Sequence, residues 1–130
     1  MNPQETAQLV LDQIRMHPET HYQGSYESSC GTTRCVAGWA AHFHGYRQIS
    51  AFPTAMWIGP GTASQPGRHL VHEVAAAHLG IGEDDANILF AGTLPSQEAV
   101  HALEYLAKGE DIDWHAVSGE RYARLGVDAR

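Results

Sequence analysis

Stretches of helix-spaced apolar residues, each cut short by glycine or proline, dominate this chain. Ala7, Val10, Leu11 and Ile14 fall on one helical face, and Pro18 stops that pattern near His17. Asn2, Pro3 and Glu5 stand where a cap, a first helical residue and a capping box want them. The pattern predicts a second helix over about Arg34–His44, with Val36, Trp39, Ala40 and Phe43 inward and Gly45 after it. A third is predicted over about Arg68–Leu79 and ended by Gly80, and a short fourth over Glu83–Phe90 opens on acids that suit the macrodipole. Ser96 is expected to cap a fifth over Gln97–Lys108, and Asp113 a last short turn from Trp114. Helices this short are joined by short turns. They predict an all-α fold, an irregular orthogonal bundle of about five helices in a single domain spanning 1–130.

Two stretches resist the helical pattern. Residues 19–33 form a polar loop with Tyr22 and Tyr26. Residues 46–67 hold three Pro, three Gly, Phe52 and Trp57. They read as a long aromatic loop, or as a short hairpin around Ile58-Gly59-Pro60-Gly61. The final dozen residues are polar and expected to fray.

Composition narrows the partners. Apolar residues at 43% and charged residues at 18% are globular proportions. No apolar run of membrane-spanning length occurs. The opening MNPQETAQLVLDQIR lacks a basic stretch followed by an apolar one, so a cytoplasmic location is expected. Residues 1–66 carry three Arg and four acids, whereas 67–130 carry five basic groups and eleven acids. Eight scattered basic residues make a poor nucleic-acid surface, because binding that backbone requires a basic face to displace counterions. The acidic half suits a partner with a basic surface. Nine His residues would take the net charge from −7 to about +2 if all were protonated.

The most distinctive stretch is Cys30-Gly31-Thr32-Thr33-Arg34-Cys35-Val36-Ala37-Gly38-Trp39-Ala40. Gly38 inside a helix costs about 1 kcal/mol against alanine, so its presence suggests a close backbone neighbour. This stretch resembles the core of a family of small actinobacterial and actinophage proteins with a C-G-T-x-x-C-x-A-G-x-A motif. Similar elements flank it: His17-Pro18-Glu19, Gln23-Gly24 before Tyr26, Leu79-Gly80-Ile81, Leu89-Phe90, and the closing segment from Gly109 to Trp114. Seven Arg against one Lys agree with a high-GC genome. The resemblance covers most of the chain and implies no particular activity, cofactor or partner.

Four chemistries fit the motif. It can be structural, with buried cysteines and Thr33 capping the helix. It can be a thiol enzyme, with Cys35 activated at a helix N-terminus; His42 would then stand about 10 Å along the axis, so a base must come from His69, His72 or His101. It can be a zinc site built from Cys30, Cys35, His69 and His72, although no second cysteine pair exists and His72-Glu73-Val74-Ala75-Ala76 has alanine where a zincin needs histidine. It can be a Cys30–Cys35 disulfide, which a reducing compartment disfavours. The expectation is a binding protein without catalysis, with no cofactor. Its surface would comprise Tyr26, Cys30, Gly31, Thr32, Thr33, Arg34, Cys35, Gly38, Trp39 and Trp57, and its partner a protein or small ligand.

Overall fold

A computed structural model describes residues 1–22, 34–50, 56–58 and 68–119. Their body is all-α. Helix α1 (Pro3–Met16) begins as the sequence indicates: the Asn2 side chain accepts the Glu5 amide at 2.8 Å, and Glu5 accepts the Asn2 amide at 3.0 Å. A 3-10 turn follows at Pro18–Thr20. Then come α2 (Val36–Phe43), α3 (Val71–Leu79), α4 (Glu83–Leu89), α5 (Ser96–Ala107) and α6 (Trp114–Ser118).

Helix α1 is the organising element. Its buried residues Thr6, Ala7, Val10, Leu11 and Ile14 face α5 above all, and also α2 and α3. Leu79, Leu89, Leu103, Val36 and Val71 complete a core that all the larger helices share. At about 25 cal/mol per Å² of apolar surface, burial of this kind is the main stabilising term. Around its edge, an ion pair joins Arg15 of α1 to Glu104 of α5. The Trp114 indole N–H donates to Asp85 Oδ1 at 2.9 Å, holding α6 to the start of α4.

The stretch read as a long loop or hairpin contributes strand. Residues β1 (Arg47–Ser50), β2 (Met56–Ile58) and β3 (Arg68–Leu70) form a three-stranded antiparallel ribbon in the order β1-β2-β3. Gln48 pairs with Trp57, and Trp57 with His69. Helix α3 therefore starts at Val71 and not at Arg68, because Arg68-His69-Leu70 is drawn into the ladder. Helix α2 starts at Val36, two residues later than expected, because Cys35 has extended backbone. Helix α5 opens at Ser96 itself, with Pro95 in the capping position. Among the described residues, no helix is long and apolar enough to cross a membrane.

Candidate functional site

The motif that dominates the sequence is anchored from its second half. Tyr26, Cys30, Gly31, Thr32 and Thr33 lie outside the described residues, so a cap from Thr33 does too. Cys35 takes the N-cap position of α2, where its Sγ accepts the Gly38 amide at 3.4 Å. The side chain is only 1% exposed. Burial pushes its thiol from 9.0 up to about 11, outweighing the backbone amides that favour the thiolate. This reverses the electrostatic expectation for a cysteine at a helix start. The dipole is present, but the thiolate would have no water around it. A buried, protonated thiol is a poor nucleophile. Cys35 is a free thiol here, and Cys30, its partner in the disulfide alternative, lies outside the described residues.

Arg34 and Trp39 carry the rest of the local structure. The Arg34 guanidinium carbon lies 4.7 Å from the centroid of the Trp39 ring, in cation–π contact. The Arg34 amide donates to the Thr20 carbonyl at 2.9 Å, and the Tyr22 amide donates to the Arg34 carbonyl at 3.1 Å. The Trp39 indole N–H reaches the same Thr20 carbonyl at 3.0 Å. Thr20 in turn donates its hydroxyl to the His17 carbonyl and accepts from Gln13. The His17-Pro18-Glu19 element and the helix bearing Gly38 are thus brought into one hydrogen-bonded unit. Arg34, Cys35 and Trp39 are all buried, and so is Gly38. These side chains are consumed in packing and offer little surface to a ligand.

The metal alternative loses its spacing. His69 stands on β3 and His72 on α3, so the two do not share a helical face. Cys30 lies outside the described residues. Among the described residues, no group of three or more His, Cys, Asp or Glu could hold a metal ion. Trp57 is in the middle of β2.

A concave surface lies elsewhere among the described residues, between α3 and α4. An open groove of about 720 Å³ has a floor of Leu70, Ala76, Ala77, Ile81 and Ala86. Its rim carries Glu73 and Glu83, one from each helix, with Asn87 and His72 beside them. Both glutamates are exposed, and Ala86 is buried at the base. The His72 ring meets Phe90 edge-on with centroids 5.0 Å apart, which holds it against the wall. The depth comes from small residues: alanine at 76, 77 and 86 leaves room that larger side chains would fill. The sequence points to His72 as a catalytic base or a metal ligand and to Glu73 as part of a metal site, and it does not show the groove. The available signal was the run Ala75-Ala76-Ala77 followed closely by Glu83-Asp84-Asp85.

A second cluster joins three helix ends. The His44 and His78 rings stack with centroids 3.6 Å apart at 20°, and His44 Nε2 is 2.7 Å from the Thr6 hydroxyl. Burial lowers the affinity of both rings for a proton; the neighbouring His78 and the chain's amino terminus add to this at His44, and the amino terminus does so at His78. No family model, curated protein or solved structure matches this chain.

Proposed function

We propose that this chain is a cytoplasmic binding protein without catalysis of its own, which engages a protein partner or small ligand through the groove between α3 and α4. The observation that carries this reading is the groove itself: about 720 Å³, open to solvent, and lined among the described residues by an apolar floor together with His72, Glu73, Glu83 and Asn87. Ligand sites commonly have that combination, in which the floor supplies affinity and a few polar groups supply orientation. The burial of Cys35 supports the non-catalytic part, because the thiol with the best sequence credentials as a nucleophile is capping a helix. A net charge of −7 argues against a nucleic-acid backbone as the partner. The resemblance to actinobacterial and actinophage proteins supports a host-directed interaction.

The test is an NMR screen of the ¹⁵N-labelled protein against mixtures of small neutral organic molecules. Binders are expected to shift amides of residues 70–77 and 81–87 together. Shifts that gather elsewhere would remove the groove from consideration.

A further inference from the structure

We propose that the α3–α4 groove receives a basic amphipathic segment of a partner protein. This rests on the reading of the groove as the binding site and adds the chemistry of its occupant. The rim provides the first argument. Glu73 on α3 and Glu83 on α4 stand on the two sides of the groove, both exposed. Among the described side chains, no Lys or Arg lines it. Among the described residues, neither glutamate is in a salt bridge. Asp84 and Asp85 follow Glu83 directly, within the half of the chain where eleven acids face five basic groups. An occupant therefore meets negative charge on both flanks, and a cation is the complementary group.

The floor provides the second argument. Ala76, Ala77 and Ala86 project only methyl groups, and Leu70 and Ile81 extend the apolar surface. A fully solvated cation would gain nothing from it. An amphipathic helix can seat its apolar side chains on that floor and set Lys or Arg against the two glutamates, which is the helix-in-groove mode of recognition. Charge at the rim should act on association rate and orientation, and the floor on residence time.

The experiment uses the intact protein and a fluorescent idealised Leu/Lys helical peptide of about 18 residues, long enough to hold a helix. A Leu/Glu peptide of equal length is the control, and salt is kept at about 150 mM to screen long-range attraction. The Leu/Lys peptide is expected to bind saturably and to shift amides of 70–77 and 81–87. The double variant E73Q/E83Q is expected to weaken it by about fivefold or more, the effect of losing two exposed ion pairs. E110Q/D111N removes the same charge away from the groove and should change the affinity by less than about twofold. A77W, which fills the groove without altering charge, should abolish binding while circular dichroism shows the fold intact.

Equal weakening by the two charge variants, or equal binding of the Leu/Glu peptide, would overturn the proposal. Neutral molecules occupying the groove while the Leu/Lys peptide binds elsewhere would overturn it and leave the binding site standing. A groove that takes neither peptide nor neutral molecules would overturn both.

Discussion

His44 and His78 stack ring on ring, 3.6 Å between centroids, although they lie on different helices and would repel if both were protonated. His44 caps the end of α2, and His78 sits in the last turn of α3. Tyr46 tilts against His78 at 5.9 Å, and Thr6 from α1 holds His44. The stack is thus where three helices are joined by neutral imidazoles.

Stability should depend on pH through this pair. Both rings bind a proton less readily in the folded chain than when unfolded, where each titrates near 6.5. The unfolded state then holds more protons below that pH, so stability rises with pH. It should be complete above about pH 7 and decline as pH falls through 6.5 toward the lower folded values. Urea unfolding at pH 7.5 and 5.5 measures this. H78F keeps a ring in the stack and removes one titration, so its loss between the two pH values should be smaller than that of the wild type. An unchanged slope in H78F would show that the decline comes from other histidines.

Cys35 should resist alkylation. A thiol raised from 9.0 to about 11 holds about a hundredth of the thiolate at neutral pH. Burial also denies the reagent access. Iodoacetamide is expected to modify Cys35 at least about a hundredfold more slowly in the native protein than in urea, as peptide mass mapping would show. Labelling at the unfolded rate would place this thiol in solvent and revive the nucleophile. Replacement by alanine removes the acceptor for the Gly38 amide and should cost about 1 kcal/mol, seen as a lower urea midpoint.

Gly80 should tolerate no side chain. Its φ of +69° lies in the left-handed region, and a Cβ there would stand 3.0 Å from Pro3 Cβ. Both the backbone and the contact with the start of α1 oppose a substitution. G80A is expected to lose about 1–2 kcal/mol, a fall of several degrees in Tm by calorimetry. No change in Tm would mean that the α1–α3 contact gives way easily.

The helices were legible where the deciding forces are local. The capping box of Asn2 and Glu5, the stop before Pro18, the Gly80 terminus and the Asp113 cap act over three or four residues, and a sequence displays them directly. The apolar stripe of α1 is equally plain, since its spacing follows from the helix period alone. Long-range pairing was hidden. Arg68-His69-Leu70 looks like the start of a helix, and only the partner strand Met56–Ile58 makes it a strand. Cys35 shows the same division in its chemistry. Its place at a helix start could be read from the sequence, whereas the burial that governs its thiol depends on how the helices pack around it. The groove belongs wholly to the tertiary structure, because its depth is the space that alanines on α3 and α4 leave between two helices. Local hydrogen bonds and helical periodicity determined the helices; desolvation and side-chain packing, which act between segments distant in the chain, decided the site.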